Sequence, residues 1–493
     1  MTKEDGKVQS KTVSRRDFLR LSALSAAGAA LAGCCTAPEV TEKEVIVTVE
    51  TVRTEKAEVV VTQISEIPAE AVEVRWFVGL GAGGESEQIE LEKRFVEFFN
   101  AQQDEIELVP EFADNSVALD ILTTEVLAGD APDIIGPVDY RGTDEVRGAF
   151  VDLTEYLMDL TDYLAIYDMS DFSEGALRGW TTPELGLIGL PVNVDPSAIY
   201  INKDLFDEAE LDYPPTVYGD AYADGDDWSI DKLTELAMLL TLDGNGNNAT
   251  DAAFDPENIV QFGYAHQWAY PRGWATFFGA GNFVEDDGAV AVCPDHWREA
   301  FKWVYNGMWV DHFHPNGRHI RGDLLGGDPF GSGHVAMAHC HTWYTCCVPV
   351  EAAWDYATCP SYDGVATAKL DTDMIGVVAS TEVPEQAVKA VYDIATSPAL
   401  INLWGAVPAL KSMQGGYIAN MAAAHPGVEN WNTIMAGLDH IDVPNHDAYM
   451  PNFPLADERV EAFQFELEET DGVDVDAAID ILVSDLQAIF DAA

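Results

Sequence analysis

The sequence predicts an α/β protein with parallel β-sheet, because short apolar strands alternate with amphipathic helices from Val72 onward. Residues Val72–Val78 alternate in polarity and then become wholly hydrophobic, as in a strand that enters a core. A glycine-rich turn follows, and residues Glu87–Asn100 then place their apolar side chains on one side of a helix. Strand, helix, strand, helix and strand at this spacing indicate a parallel sheet.

The next elements follow the same alternation. The second strand, second helix and third strand are predicted at residues 106–109, 117–128 and 133–137. Later strands are predicted at residues 197–201, 334–338 and 374–379. Later helices are predicted at residues 230–241, 297–309, 385–396 and 477–492. The alternation therefore extends over most of the chain, and no short repeat is evident.

The first residues of the chain carry an export pattern. Twin arginines, Arg15 and Arg16, precede an apolar run, which ends in Leu31-Ala32-Gly33-Cys34 and resembles a bacterial lipobox. The run is too short to be a permanent membrane span, so we predict that residues 1–33 are a twin-arginine lipoprotein signal peptide. Cys34 would then carry the lipid and hold the protein at the outer face of the cell membrane. The alternative is an ordinary secretory signal in which Cys34 is incidental.

Residues 34–71 follow the predicted cleavage site and are rich in Val, Thr and Glu, without an aromatic residue. Such a segment offers little to pack, so we predict a flexible, lipid-anchored tether. The chain has a formal net charge of −59. This charge excludes generic binding to nucleic acid and opposes binding to anionic lipid, so contact with the membrane is expected through the lipid anchor only.

Several stretches carry a family resemblance, of which "YxNKDLF" at residues 200–206 is the most specific. The others are residues 76–100, 127–135, 189–193, 331–343, 384–396 and 450–454. In order and spacing they resemble the extracellular solute-binding proteins of family 1, the maltose-binding-protein-like components of ABC importers.

The resemblance implies a two-lobe periplasmic-binding-protein fold, type II-like, with a hinge and a ligand cleft between the lobes. Lobe 1 would comprise residues 72–192 and 374–412, and lobe 2 residues 193–373 and 413–493. The implied function is capture of a mono- or oligosaccharide and its delivery to ABC permease subunits, without catalysis. The lobes would close around the ligand by hinge motion.

Sugar sites combine aromatic rings, which stack on apolar sugar faces, with polar side chains that bind hydroxyl groups. By this criterion and by the resemblance, the candidate ligand residues are Gly83, Glu85, Asp139, Tyr140, Asn193, Asp195, Trp268, Tyr270, Arg272, Trp274, His339, Trp343 and Trp404. For each, a role in turns, surface loops or packing is the alternative. Trp343 matches a tryptophan that stacks on sugar in the family, although His339-Cys340-His341 departs from the family pattern just before it.

Two groups of residues are candidates for metal sites. His339 and His341 would share one face of a strand, as a metal pair requires, but disulfides or free thiols at the neighbouring cysteines are the alternative. Residues Asp243, Asn245, Asn247 and Asp251 follow the start of a calcium loop. Asn248 stands where a glycine belongs and Phe254 where a carboxylate belongs, so a polar turn is the alternative. No cofactor is required, and structural calcium is the one candidate.

Two other classes of protein remain open at this point. An exported carbohydrate-active hydrolase would use paired carboxylates, but acidic residues are so abundant here that such pairs carry no information. A metal-binding lipoprotein would use the cluster of His and Cys residues. The order of the elements favours the solute-binding family over both.

Overall fold

The computed structural model describes residues 71–84, 86–139, 143, 157–172, 174–182, 186–285, 290–349 and 353–493. The predicted signal peptide, Cys34, the tether up to residue 70, Glu85 and Tyr140 lie outside these ranges. The described residues belong to one compact unit, Ile64–Ala493. No helix within the described ranges is long and apolar enough to cross a bilayer.

The first sheet has five strands in the order β2-β1-β3-β15-β6. These strands are β1 Val72–Val78, β2 Ile106–Phe112, β3 Ile134–Val138, β6 Leu190–Pro191 and β15 Met374–Val377. The predicted parallel pairing is present between β1 and each of β2 and β3. Strand β15 runs antiparallel to β3 and β6. Antiparallel strands need no crossover helix, and β15 enters the sheet directly from the second one.

The second sheet is mixed and has the order β11-β7-β10-β9-β8, with β14 also paired to β7. Its strands are β7 Asp195–Asn202, β8 Leu242–Asp243, β9 Ile259–His266, β10 Val335–His341, β11 Trp354–Ala357 and β14 Leu370–Asp371. Two short hairpins complete the strands: β4 Thr181–Thr182 with β5 Gly186–Leu187, and β12 Ser361–Tyr362 with β13 Val365–Ala366. Strand β9 was absent from the sequence-based prediction.

Helices flank both sheets. The first six are α1 Ser86–Gln102, α2 Asn115–Ala128, α3 Thr161–Leu164, α4 Glu174–Gly179, α5 Lys203–Glu208 and α6 Ile230–Leu240. The next four are α7 Pro271–Ala275, α8 Asp295–Trp309, α9 Gly317–Arg321 and α10 Pro384–Ala395. The last five are α11 Pro398–Trp404, α12 Lys411–Ala424, α13 Asn432–Gly437, α14 Phe453–Glu469 and α15 Val475–Phe490.

One hydrophobic cluster includes residues of both sheets, among them Trp76 of β1 and Tyr200 of β7, and a second cluster, with Trp297 of α8, packs on the second sheet. In the first, Trp76 is fully buried and its indole N–H donates to the carbonyl of Gly136 at 2.7 Å. In the second, Trp297 of α8 is fully buried and its indole N–H donates to the carbonyl of Gly279 at 3.0 Å. Both large rings thus bury their apolar area while their one polar atom is satisfied. The lobe boundaries taken from the family resemblance stay a prediction.

Glu92 of α1 is a fully buried carboxylate in the first core. Trp404 donates to its Oε1 at 2.9 Å, and its Oε2 has no partner among the described residues. Burial raises the pKa of Glu92 to about 7. Because the folded pKa lies above that of the unfolded chain, the free energy of unfolding decreases as pH rises from about 4.5 to 7.

We therefore expect Glu92→Gln to stabilise the protein at pH 8 by about 1–3 kcal/mol, and the gain to disappear near pH 4.5. Glutamine keeps an acceptor for Trp404 but carries no charge. Thermal melting across this pH range measures the effect. Glu97→Gln is the control, since Glu97 is exposed on the same helix. Equal stabilisation by both substitutions at pH 8 would contradict the prediction.

Candidate functional site

Two segments of the chain cross between the two sheets, from β6 to β7 and from β14 to β15, and hydrogen bonds join them to each other and to the segment at Val407. The amide of Val192 donates to the carbonyl of Asp373 at 2.9 Å, and the amide of Val194 to that of Val407 at 2.8 Å. Asn193 and Asp373 bond reciprocally, with Asn193 Nδ2 donating to Asp373 Oδ2 at 2.8 Å and the amide of Asp373 donating to Asn193 Oδ1 at 2.6 Å. Asn193, predicted as a ligand residue, therefore helps to hold together the segments that connect the two sheets.

Asp195 lies at the start of β7, directly opposite Asp371 of β14. It is 1% exposed, and Thr342 donates its hydroxyl hydrogen to Asp195 Oδ1 at 2.9 Å. Burial raises the pKa of Asp195 to about 7, although the bond from Thr342 opposes the shift. This bond ties the buried carboxylate to the residue that precedes Trp343 in the chain.

Asp139 and Asp373 meet at the same junction from the first sheet. Val138 and Met374 are paired across β3 and β15, so Asp139 follows one strand where Asp373 precedes the other. Burial raises the pKa of Asp373 to about 7, and the charge of Asp139 adds to the shift. Four aspartates thus converge where the sheets meet, of which Asp371 and Asp373 were missed from sequence. Their alternation with Lys369 just before a predicted strand was the available signal.

Trp268 and Trp343 form a parallel aromatic pair, with ring centroids 6.3 Å apart and an interplanar angle of 14°. Tyr344 meets Trp268 edge-on at 5.1 Å. Trp268 is 45% exposed, so a large apolar ring faces solvent. Its backbone has φ of +47°, a conformation that bulky residues rarely adopt and that persists only where the surroundings hold it.

Polar contacts hold the loop that carries Trp268. Gln267 donates to Asp328 at 2.8 Å, and the Tyr344 hydroxyl donates to the same carboxylate oxygen at 2.6 Å. The indole N–H of Trp268 donates to the carbonyl of Gly327 at 2.8 Å. The aromatic pair is therefore pre-organised by a hydrogen-bond network that connects two distant segments of the chain.

A cavity of about 300 Å³ lies beside Trp268 and is also lined by Tyr270 and Trp274. This volume is at the lower end for small-molecule pockets. The remaining polar lining consists of His266, His314, Gln464 and Glu468. The predicted aromatic cluster therefore converges on one cavity, while contact of these residues with a ligand stays a prediction.

Arg272 belongs to the same predicted cluster but lies in the interior, at 1% exposure. Its guanidinium is 3.4 Å from Asp447 and 3.8 Å from Asp457, and it donates to the carbonyl of Ala448 at 2.8 Å. The positive charge of Arg272 is therefore paired with acidic side chains of the protein. The arrangement favours a structural role over the predicted ligand contact.

The remaining candidates in the first lobe also have contacts within the protein. The amide of Gly83 donates to Gln88 at 3.1 Å, so the N–H predicted to meet a ligand is already engaged. The φ of Gly83 is +96°, and a Cβ atom here would clash with the Glu92 carboxylate. Trp404 donates to the same carboxylate and packs in the first core. Gly83, Glu92 and Trp404 therefore form one internal cluster.

His339 and His341 lie on β10, as predicted, and both are buried. His339 Nε2 lies 2.7 Å from the hydroxyl of Ser197, and His341 stacks on His446 at 5.5 Å. Burial lowers the pKa of both imidazoles well below the usual range, so they are neutral. In the described part of the chain, no three His, Cys, Asp or Glu side chains could jointly hold a metal ion. Cys340 and Cys359 are free thiols.

The predicted calcium loop is closed by hydrogen bonds from its own backbone. The Asp243 carboxylate accepts from the amides of Asn245, Asn247 and Asp255 at 2.8–3.0 Å, and from Asn247 Nδ2 at 3.0 Å. Asp251 accepts from the amide of Ala253 at 2.9 Å. This geometry is that of a polar turn, and calcium binding stays a prediction.

Comparison with known proteins gives one family match. The model of the family described as bacterial extracellular solute-binding protein matches residues 94–430. No functionally curated protein matches the chain.

Solved structures of similar fold cover most of the chain. An ABC substrate-binding protein from Listeria monocytogenes, in complex with cycloalternan, is 18% identical with a TM-score of 0.64, over 85% of this chain and 98% of that one. A cyclic α-maltosyl-1,6-maltose binding protein from Arthrobacter globiformis is 17% identical with a TM-score of 0.63, over 86% and 100%. The sugar-binding protein MalE from Xanthomonas citri is 16% identical with a TM-score of 0.64, over 85% and 98%. These similarities confirm the predicted two-lobe α/β fold.

Proposed function

Because the chain belongs to the bacterial extracellular solute-binding protein family, we propose that it is the substrate-binding component of an ABC importer with a carbohydrate ligand. The observation that carries the proposal is the parallel pair formed by the exposed ring of Trp268 and the half-buried ring of Trp343, which follows the residue that donates to Asp195. Aromatic rings bind the apolar faces of sugars, and carboxylates accept hydrogen bonds from hydroxyl groups. The cycloalternan bound to the similar protein from Listeria monocytogenes, and the cyclic α-maltosyl-1,6-maltose bound by the one from Arthrobacter globiformis, support the choice of ligand class.

The ligand would act by selecting a closed arrangement of the lobes. The two crossing segments are hydrogen-bonded to each other, so they can serve as a common hinge for the two sheets. A sugar that contacts both Asp139, which follows the first sheet, and Trp343 of the second would bind more tightly when the lobes approach. Permease subunits would then recognise the closed form.

The family places the protein outside the cytoplasm. We further propose that the twin arginines direct its export, that Cys34 carries a lipid, and that residues 34–71 tether the body to the outer face of the membrane. The order of arginines, apolar run and lipobox supports this arrangement. The family and the similar structures are binding proteins, and we propose that this chain likewise has no catalytic role.

A thermal-shift panel of mono- and oligosaccharides, sugar phosphates and polyols tests the proposed function. A ligand present at 100 times its dissociation constant should raise the free energy of unfolding by about 2.7 kcal/mol. One strong hit among the sugars is the expected result. A panel without any sugar effect, combined with a large shift from calcium, zinc or a chelator, would contradict the proposal and favour a metal-binding function.

A further inference from the structure

The cavity of about 300 Å³ beside Trp268 is separate from the junction between the sheets. Its lining residues come from the end of β9, from α7, α9 and α14, and from nearby loops. All of them lie in segments predicted to form lobe 2, and none belongs to the segments that cross between the sheets. Trp268 is shared with the aromatic pair, so the cavity adjoins the ring surface that we propose for the sugar.

Three aromatic side chains form part of the cavity wall. Trp268 and Tyr270 are exposed, whereas Trp274 is buried, so the aromatic wall extends from the surface into the protein. Aromatic rings of this kind pack on the apolar faces of sugars. The volume is near the lower limit for small-molecule pockets, which suits one sugar ring and not a longer chain.

Two side chains that line the cavity each carry a nitrogen without a hydrogen-bond partner among the described residues. These atoms are the indole Nε1 of Trp274 and Nε2 of His266. The two side chains are 2% and 4% exposed, and their rings are nearly parallel, with centroids 6.2 Å apart. Burial lowers the pKa of His266 well below the usual range, so its ring is neutral and carries one N–H. Buried polar atoms without partners cost free energy, which a bound ligand would recover.

The charges at the cavity favour a neutral ligand over an acidic one. Glu468 and Gln464 of α14 also line it, and Gln464 Nε2 donates to Glu468 Oε1 at 2.8 Å. Burial raises the pKa of Glu468, and the bond from Gln464 together with the charge of Arg321 opposes the shift. No lysine or arginine is among the lining residues in the described part of the chain, so an anion would find no cation in the wall. In either protonation state, Glu468 can accept a hydrogen bond from a hydroxyl group.

Hydroxyl groups match the two unpartnered nitrogens. A hydroxyl both accepts and donates a hydrogen bond, so it can accept from Trp274 and can pair with His266 Nε2 in either tautomer. A sugar unit combines such hydroxyl groups with an apolar face that packs on aromatic rings. The two nitrogens are shielded from solvent, so small rotations of their rings would accompany binding, a change that is common where proteins bind partners.

We propose, resting on the proposed function, that this cavity is a subsite for one neutral sugar unit, either a monosaccharide or the end unit of an oligosaccharide. The unit packs against the aromatic wall. Its hydroxyl groups accept from the indole N–H of Trp274 and pair with His266 Nε2. The polar residues His266, Gln464 and Glu468 were missed from sequence, because they come from distant segments.

A substitution that fills the cavity tests whether a sugar uses it. Ala269 lines the cavity, so the ring of Ala269→Phe would occupy part of its volume. The probes are glucose, galactose, maltose and cellobiose, together with any other neutral sugar that stabilises the wild-type protein. Calorimetric titration should show that binding of the stabilising sugars is weakened by at least about tenfold. Ala462→Phe, at an exposed position of α14, is the control and should retain wild-type affinity.

A second substitution tests the hydrogen bond at Trp274. Trp274→Phe keeps an aromatic ring but removes the unpartnered N–H, so we expect sugar binding to weaken by about three- to tenfold. In the control, Trp228→Phe, the lost N–H is one that donates to the carbonyl of Thr358 at 2.9 Å, away from the cavity. Trp228→Phe should therefore lower the melting temperature more than Trp274→Phe does, while its sugar affinity is retained.

The outcomes separate this inference from the proposed function. Unchanged affinity in both Ala269→Phe and Trp274→Phe would overturn the subsite and leave the carbohydrate function intact. Binding of glucuronate or galacturonate as tightly as glucose or galactose would overturn its preference for a neutral unit. Failure of every sugar in the panel removes both proposals. Losses for monosaccharides and disaccharides alike assign the cavity to a free sugar, whereas losses for disaccharides alone assign it to the end unit of a chain.

Discussion

Replacement of Trp343 by alanine is expected to weaken ligand binding by about 30- to 100-fold with only a small loss of folding stability. The ring is half-buried, stacks on Trp268, and its indole N–H has no partner among the described residues. Its removal therefore breaks no hydrogen bond within the described structure. The ligand would lose a large apolar contact that the exposed ring of Trp268 alone replaces only in part.

Isothermal titration with the best sugar from the panel measures the loss, and thermal melting without ligand measures stability. Phe465→Ala is a matched control, because Phe465 is 61% exposed on α14 and lies outside the aromatic pair. Trp343→Phe should retain part of the affinity, since it keeps an aromatic face. Unchanged affinity in Trp343→Ala would show that the ligand does not use this ring.

Arg272→Met is expected to lower the free energy of unfolding by about 3–5 kcal/mol. The substitution keeps much of the side-chain volume but removes the charge that faces Asp447 and Asp457. Both carboxylates would then be left in a low-dielectric interior without their partner, and the Ala448 carbonyl would lose its donor. Urea denaturation of the two proteins at constant salt gives the difference.

Arg298→Met provides the contrast, because the partner of Arg298, Asp480, is 70% exposed in its side chain at a distance of 2.7 Å. Surface pairs of this kind contribute at most about 1 kcal/mol. Similar stabilities of the two variants, together with loss of sugar binding in Arg272→Met alone, would contradict the structural role. That result would restore the sequence-based prediction that Arg272 contacts the ligand.

Local sequence pattern was sufficient to predict most strands of the first sheet and the helices next to them. Strand β1 was predicted with its observed bounds, and α1 and α2 within two residues at each end. The periodicity of β1 and α1 predicts their buried face, because their apolar residues recur on one side, whereas α2 also exposes Val117 and Leu127. The helix α2 also ends at Gly129 with φ of +74°, a conformation that glycine adopts readily. A glycine directly after a helical run therefore predicts the end of the helix.

The site was less predictable because its residues are brought together by pairing between distant segments. Asp195 and Asp371 are separated by more than 170 positions, and nothing local marks either as the partner of the other. Burial was also hidden: Trp268 and Arg272 are four residues apart, yet one is 45% and the other 1% exposed. The sequence indicated the aromatic cluster as a group, but only the fold separates its members into an exposed ring, side chains that line a cavity and an internal ion pair.

The position of β15 has a consequence for how the protein is made. This strand lies between β3 and β6 in the first sheet, although about 180 residues of the second sheet and its helices separate it from β6 in the chain. During synthesis, β6 has no neighbour in its sheet until residue 377 has left the ribosome. Long-range pairing of this kind slows folding and leaves strand edges exposed for longer. The N-terminal half therefore cannot complete the first sheet until β15 has been made. We expect chains that end before β15 to be targets for chaperones and proteases.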